Sequence, residues 1–373
     1  MSAARRAEVE KAARLLGLDA DDLGFLAGLP NEDVRAFRER ATAALFDGAP
    51  EMLDRIAAAT RLVPAAVAAA ISQKALGPRL AAAVAGRLEA GRAADIIDKL
   101  PVSFTAEACA HLDPRKIAAI VDRLDEGLVV RIAVVLAENR DHLTMGRFVG
   151  HMRDQVLGRI LEQVGDADVL KAGFYVDLPE RLPRILELMG DERLASLVRT
   201  ASAAGLWEEA LAVAAVVGGD QRLRIAQLTA RLDGAELDSL VRVTHDQGLW
   251  ETLLPLVALL GEDDRRAVAR LDSLRDPQVL AGVVRAVVAT GLWGEFLPLV
   301  GVLPGEARKV VADAAATLGD PELDALVREV DKQDLWELVL PLVELMDETG
   351  KQRIFDLPAF QDQPAPPRDG PAE

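Results

Sequence analysis

The chain of 373 residues is poor in aromatic side chains, which make up 4% of it, and contains one cysteine. A lone Cys109 excludes an internal disulfide, and its apolar neighbours predict a packed, unreactive thiol. No apolar run approaches the ~20 residues needed to cross a bilayer, and the first residues lack the apolar stretch of a secretory signal. We therefore expect a cytoplasmic protein that is not inserted in a membrane.

Basic residues are also in deficit, with 43 Lys and Arg against 60 Asp and Glu and a formal net charge of −17. A chain so acidic repels polyanions such as DNA and anionic membrane surfaces. The charge therefore disfavours nucleic acid as a partner and leaves protein partners, whose identity the sequence does not give.

The sequence lacks the motifs of the common catalytic sites. It has no phosphate-binding glycine loop and no Gly-x-Ser-x-Gly. The four histidines, which a metal site or a catalytic base would need, have no spacing that puts two on one helical face; they are His111, His142, His151 and His245. We predict a protein that is not an enzyme and that has no cofactor and no metal site.

Four tryptophans are present, and consecutive ones lie 43 residues apart: Trp207, Trp250, Trp293 and Trp336. A constant spacing over three intervals indicates one structural unit in several copies, and this length is typical of HEAT and armadillo repeats. A repeated Trp either fills the gap between neighbouring units or forms a ladder of exposed rings for a ligand. We favour packing, so the four side chains are predicted to be structural.

Each 43-residue unit is predicted to hold three helices, as in residues 250–260, 262–274 and 277–290. A proline five residues after the Trp, as at Pro255, occupies the first turn of a helix or kinks it. The third helix ends at glycine in three units, as expected where a chain leaves a helix in the left-handed conformation. The fourth unit has Asp334 at that position.

A shorter repeat precedes these units. Written in rows of twelve from Ala93, residues 93–164 carry an apolar residue in every eighth column, including Leu100, Leu112, Leu124 and Leu136. Columns four, five and eight share one side of an α-helix. Each row is therefore predicted to be one short helix with its turn, and such helices are stable only when packed on neighbours.

Two segments of this stretch carry a family resemblance: Ala93-Ala-Asp-Ile-Ile-Asp-Lys-Leu-Pro and His111-Leu-Asp-Pro-Arg-Lys-Ile-Ala-Ala-Ile-Val-Asp-Arg-Leu-Asp. Residues 80–165 resemble the superhelical N-terminal domain of the MgtE magnesium transporters and the short-helix repeats of the flagellar motor protein FliG. The resemblance implies a superhelix of short helical hairpins. Magnesium transport is not implied, because no membrane-spanning segment follows.

Arginine forms two columns at the 43-residue period. The first is Arg199, Arg242, Arg285 and Arg328, and the second is Arg222, Arg265 and Arg308, continued by Lys351. The planar donor fork of Arg suits a carboxylate-rich partner, which makes both columns candidates for partner binding. The more ordinary arrangement, which we expect, is that each Arg pairs with a carboxylate of its own or the adjacent unit, such as Glu208, Glu251 or Glu337.

The patterns predict an all-α fold, an α-solenoid in which a right-handed superhelix of short helical hairpins is followed by HEAT/armadillo-like 43-residue repeats. The expected segments are an N-terminal helical cap or interaction segment (1–65), a short-helix superhelical array (66–176), a HEAT-like array (177–357) and a disordered Pro-rich tail (358–373).

Such a fold offers a long surface, which makes a non-enzymatic intracellular scaffold or adaptor the expected function. The alternative is a divalent-cation-responsive regulatory domain related to the soluble domain of magnesium transporters.

Overall fold

A computed structural model describes residues 3–46 and 50–361 of the chain, and over these residues it is helical without any strand. The helices are short, and most of them pack on helices that are close to them in the sequence. This arrangement confirms the predicted all-α helical-repeat fold. The chain divides into two compact units, Met1–Gln221 and Arg222–Glu373, called here the first and second units. That division falls at none of the boundaries that the sequence patterns indicated.

The first unit begins with a helical hairpin, which we call the N-terminal hairpin. It consists of α1 (Ala3–Leu16), a 3₁₀ helix (Ala20–Gly28) and α2 (Asn31–Phe46). Its apolar side chains form a small core of their own around Val9, Ala12, Leu23, Leu26 and Val34.

Eleven short helices follow, with a π-helical turn at Ser72–Leu76. They are α3 (Pro50–Thr60), α4 (Ala65–Ile71), α5 (Gly77–Ala85), α6 (Ala90–Ile97), α7 (Val102–Cys109), α8 (Pro114–Val121), α9 (Glu126–Glu138), α10 (His142–Val149), α11 (Asp154–Gln163), α12 (Asp166–Phe174) and α13 (Leu182–Leu188). From α6 to α9, and again from α10 to α12, the starts are twelve residues apart. Acidic N-caps set several of these starts, as where the Asp125 carboxylate accepts from the Leu128 N–H.

The helices form two rows because most of them pack on the helix two places along the chain. Helices α3, α5, α7, α9 and α11 follow one another in one row, and α4, α6 and α8 in the other. Their shared core includes Ile117, Val130, Leu136, Met145 and Phe148. Since α3 belongs to the first row, the array of short helices starts at Pro50, inside the segment predicted as a cap.

The eighth-column leucines do not all lie where the sequence pattern placed them. Leu100, Leu112 and Leu124 are in the connections after α6, α7 and α8, where each N–H donates to the carbonyl three residues earlier. An eight-residue helix in a twelve-residue period leaves four residues for the turn, and in each case the third of them is a leucine that packs on the core. Only Leu136 is helical, because α9 has 13 residues, five more than α6, α7 or α8.

The 43-residue repeats follow. Their helices are α14 (Asp191–Ala204), α15 (Trp207–Val216), α16 (Gly219–Thr229), α17 (Gly234–Gln247), α18 (Trp250–Ala258), α19 (Glu262–Val268), α20 (Pro277–Thr290), α21 (Trp293–Val300), α22 (Gly305–Ala316), α23 (Asp320–Lys332), α24 (Trp336–Leu345), α25 (Glu348–Phe355) and α26 (Pro358–Gln361). A 3₁₀ turn at Asp272–Arg275 completes the segment predicted as helix over 262–274. The prolines after the Trp, such as Pro255, lie inside their helices.

The third helix of each repeat ends in a left-handed residue. Gly205, Gly248 and Gly291 have φ of 66°, 68° and 73°. Asp334 keeps the same conformation at φ 54°, although it carries a side chain. The turn geometry is therefore constant, and only the residue that adopts it changes.

Each tryptophan is the first residue of its helix. Trp207, Trp250 and Trp293 are buried, whereas Trp336 is half-buried and its indole N–H donates to Asp331 over 3.2 Å. The rings of the three buried residues are closed to a ligand, so they contribute packing. The predicted tail begins with the short helix α26, and its residues 362–373 lie outside the described residues.

Candidate partner-binding surface

The first arginine column lies on the third helices of the repeats. Arg199, Arg242, Arg285 and Arg328 are each the ninth residue of their helix, in α14, α17, α20 and α23. The residues two places before and after them are buried, as are Leu240 and Thr244 around Arg242. Two residues turn a helix by about 200°, so the arginines project from the face opposite the core.

Three of these arginines have no ionic partner within residues 3–46 and 50–361. Arg199, Arg242 and Arg285 are exposed, and no described carboxylate lies within ion-pair distance of them. Arg328 differs, since its Nε donates to Asp324 over 2.8 Å in the same helix. The expectation that each arginine of this column pairs with a carboxylate of the array is therefore wrong for three of the four.

One of the expected acidic partners is engaged elsewhere. Glu208 accepts from Arg6 of the N-terminal hairpin over 2.8 Å. Arg6 also lies over the ring of Phe174, with its guanidinium carbon 5.1 Å from the centroid.

Within the second unit, α17 and α20 approach each other closely beside Arg242 and Arg285. A Cβ built on Gly282 would lie 2.5 Å from imidazole atoms of His245, so a larger residue there would force the His245 ring to move. Gly282 precedes Arg285 by three residues, and His245 follows Arg242 by three. The close approach therefore lies between the two helices that carry the exposed arginines.

The second column has a different environment. Arg222, Arg265 and Arg308 are each the fourth residue of their helix, in α16, α19 and α22, and all three are half-buried. The Nε atoms of Arg265 and Arg308 are buried without a hydrogen-bond partner among the described residues. Their aliphatic stems cover the apolar surface while the guanidinium ends reach outward, so this column is less available for a partner than the first.

A third set of arginines, which no column in the sequence reveals, holds successive helices together. Each donates to carbonyls near the end of a helix 29 to 37 residues away in the chain: Arg92 to Thr60 and Val63, Arg147 to Leu112, Arg181 to Met152, Arg193 to Val164, and Arg353 to Ala316 and Leu318. The last carbonyls of a helix have no intrahelical donor and carry its negative dipole end. The sequence separation varies, which explains why periodicity does not expose these contacts.

The N-terminal hairpin is attached to residues far along the first unit by buried charges. Lys11 donates to Asp177 and to Glu8, each over 2.8 Å, and Arg38 donates to Glu8 over 2.9 Å and to Asp177 over 3.1 Å. Glu8, Lys11 and Arg38 are all buried. We call these four side chains the ion cluster.

Further contacts surround the ion cluster. Arg35 donates to the backbone carbonyl of Asp177 over 2.7 Å, and the Tyr175 hydroxyl donates to Glu10. Arg147, also buried, lies 3.8 Å from the Asp177 carboxylate. Burial works against ionisation of Asp177, but the charges of Lys11 and Arg38 outweigh it and lower the pKa of this carboxyl.

Histidine and cysteine are the residues that a metal site or a catalytic base would use. His142 Nε2 lies 2.7 Å from Asp168, and burial lowers the pKa of His111 and of His151. Cys109 is buried, and this burial raises the pKa of its thiol to about 12. Among residues 3–46 and 50–361, no three or more His, Cys, Asp or Glu are grouped as metal ligands.

No protein-family model matches the chain, and neither a curated protein nor a solved structure is significantly similar to it. The resemblance of residues 80–165 to MgtE and FliG domains accordingly stays a prediction. Within the described part of the chain, none of the helices has both the length and the apolar character needed to span a membrane.

Proposed function

We propose that this protein is a non-enzymatic scaffold or adaptor that acts in the cytoplasm, and that its second unit binds a carboxylate-rich segment of a partner protein through Arg242 and Arg285. One observation carries the proposal: these side chains occupy the same position on consecutive third helices, are exposed, and lack a carboxylate partner among the described residues. The chain has 60 acidic residues with which they could have paired.

The chemistry of arginine supports a carboxylate as the ligand. Its guanidinium offers parallel N–H donors that match the two oxygens of a carboxylate. An unpaired exposed guanidinium gives up no internal contact when it binds such a ligand, unlike Arg328, which would first leave Asp324.

The spacing of the helices suggests the form of the ligand. Packed helices lie about 8–10 Å apart. A peptide in the polyproline II conformation has three residues per turn and rises about 3.1 Å per residue. Carboxylates three residues apart on such a segment would therefore lie on one side, about 9 Å apart, and match the two arginines. A peptide rich in Glu has carboxylates at this spacing.

The test is the binding of a fluorescein-labelled poly-glutamate peptide to the full chain, followed by fluorescence anisotropy at low salt. We expect R242E/R285E to weaken binding about tenfold or more, since each exposed ionic contact contributes up to ~1 kcal/mol and the reversal adds repulsion. The matched control is R266E/R275E, which changes the net charge equally, because Arg266 and Arg275 are exposed arginines of the same unit that already pair with Asp263 and Asp272.

Equal affinity of the wild type and R242E/R285E would refute the proposal. An equal loss of affinity in R266E/R275E would also refute it, because it would show that only total charge matters. The divalent-cation alternative makes a different prediction. A regulatory domain that binds magnesium should gain thermal stability when MgCl₂ is titrated in, while NaCl of equal ionic strength should not have this effect.

A further inference from the structure

The two rows of short helices in the first unit have an open beginning. Helix α5 has α3 on one side and α7 on the other, and α6 lies between α4 and α8. By contrast, among the described residues no helix packs closely on the outer side of α3 or α4. The two preceding helices, α1 and α2, pack on each other, and α1 also packs on α12 and α15.

The outer side of α3 and α4 is apolar. Leu62, in the connection between them, is 87% exposed, Met52 is 49% exposed, and Val67 and Ile71 are each 45% exposed. On α4 the buried Ala68 and Ala69 face α6 and Ile96, whereas Val67 and Ile71, one helical turn apart, face outward. We call this exposed side of α3 and α4 the end face.

Apolar side chains in a contiguous exposed patch mark an interaction surface more often than scattered ones do. Four of the thirteen large apolar residues that are exposed in the described chain lie on α3, on α4 or between them. In repeat proteins, terminal repeats normally carry a polar outer face, which keeps the array soluble. The end face departs from that rule.

Acidic residues are scarce at the end face, although α3 carries Glu51 and Asp54 near its start. No Asp or Glu occurs between Asp54 and Glu89, although about one residue in six of the whole chain is acidic. Asp54 is paired with Arg87 over 3.0 Å, whereas Arg55, Arg61 and Lys74 are exposed and have no carboxylate within ion-pair distance among the described residues. We call these three basic residues the basic rim of the end face.

We propose that the end face binds an amphipathic α-helix of a partner protein, with an apolar stripe that covers Leu62, Val67 and Ile71 and with acidic residues along its edges. A helix fits because every later position of both rows, from α5 and α6 onward, is filled by one. Acidic edges fit the basic rim. A second copy of the face would meet it with like charge, and an anionic lipid surface would repel a chain of net charge −17.

This inference concerns a surface separate from Arg242 and Arg285 and does not depend on their role. The probe is a fluorescein-labelled synthetic helix of about 18 residues, with Leu at positions i, i+3, i+4 and i+7 and Glu on either side. A peptide of the same composition in scrambled order serves as the reference. We expect the full chain to bind the amphipathic helix at least about tenfold more tightly than the scrambled peptide.

The variant V67E/I71E places two charges on the apolar centre and should weaken binding of the amphipathic helix about 30-fold, whereas R55E/K74E should weaken it about tenfold and mainly at low salt. The matched control is V216E/L259E, which makes the same kind of change at two other exposed apolar residues. The control should bind as the wild type does. Circular dichroism verifies that each variant keeps its helical signal.

The proposal is overturned if V67E/I71E binds as tightly as the wild type, or if the amphipathic and scrambled peptides bind equally. It is also overturned if V67E/I71E abolishes self-association of the chain in sedimentation experiments, because the occupant is then a second copy. Binding to phosphatidylserine vesicles that V67E/I71E removes would identify a lipid surface instead. R242E/R285E should leave all these results unchanged, which separates this test from that of the proposed function.

Discussion

At the scale of single residues, arginines that look equivalent in the sequence have three different environments. Arg353 donates to carbonyls at the end of α22, Arg38 is buried in the ion cluster, and Arg242 is exposed without a partner among the described residues. Removal of the first two should therefore affect stability. Removal of Arg242 should affect binding and leave stability unchanged.

The ion cluster gives the first stability prediction. Asp177→Asn removes one of the two carboxylates that the buried Lys11 and Arg38 share and leaves Glu8 as the other. Breaking a buried ionic contact in this way typically costs ~3–5 kcal/mol. We expect a correspondingly lower melting temperature at pH 7. Asp98→Asn is the control, since Asp98 pairs with Lys99 on the surface, and its melting temperature should not change measurably.

The effect of Asp177 depends on pH in a defined direction. Its pKa in the folded protein is lowered, so the carboxylate stabilises the fold above the unfolded pKa of about 3.9, and this contribution is lost as pH falls through the folded pKa. The difference in melting temperature between wild type and Asp177→Asn should be constant from pH 7 to 5 and shrink below about pH 4. A difference that grows towards acid would contradict the assignment.

The tryptophans allow a comparison between matched positions. Trp250→Ala should cost ~3–5 kcal/mol, the usual loss for a buried aromatic side chain, because Trp250 is 5% exposed. Trp336→Ala should cost clearly less, since Trp336 is half-buried at the equivalent position. Urea unfolding measures both, and equal losses would mean that burial does not determine the contribution of the ring.

At the scale of helices, the twelve-residue period was readable from the sequence, but the position of the helices within it was not. Apolar spacing cannot distinguish a leucine in the last turn of a helix from one that closes the connection after it. Leu112 lies in a connection because Asp113 and Pro114 start the next helix immediately after it. The residues at the N-caps, rather than the apolar columns, indicate where each helix begins within the twelve-residue period.

Asp334 and Gly248 follow the third helices of their repeats at equivalent positions. Substitutions at these two residues should change the stability of the protein in opposite directions. A left-handed conformation costs a residue with a side chain ~1 kcal/mol more than glycine. Asp334→Gly should therefore raise the stability of the second unit by up to ~1 kcal/mol, and Gly248→Ala should lower it by about as much. No atom lies within 4 Å of a Cβ at Gly248, so backbone strain alone acts there.

Thermal melting of Asp334→Gly and Gly248→Ala measures both changes. Shifts in the same direction would show that the conformation of this turn is not what limits stability.

At the scale of the whole chain, repetition made the fold class and the helices of the 43-residue repeats predictable, because copies of one pattern reinforce each other. The return of the N-terminal hairpin to Asp177 was not predictable. It joins residues 139 to 166 positions apart through single ionic contacts that occur once and have no period. The candidate arginines were visible as a column, but their lack of partners depends on where the carboxylates lie in space.

The central claim is that two particular arginines, rather than the charge of the chain as a whole, hold a carboxylate-rich partner. Photo-crosslinking of a benzophenone-bearing poly-glutamate peptide to the full chain, with the sites mapped by mass spectrometry, tests it most directly. Our account predicts crosslinks on α17 and α20 beside Arg242 and Arg285 that disappear in R242E/R285E. Crosslinks confined to other helices, or crosslinks on α17 and α20 that persist in R242E/R285E, would contradict it.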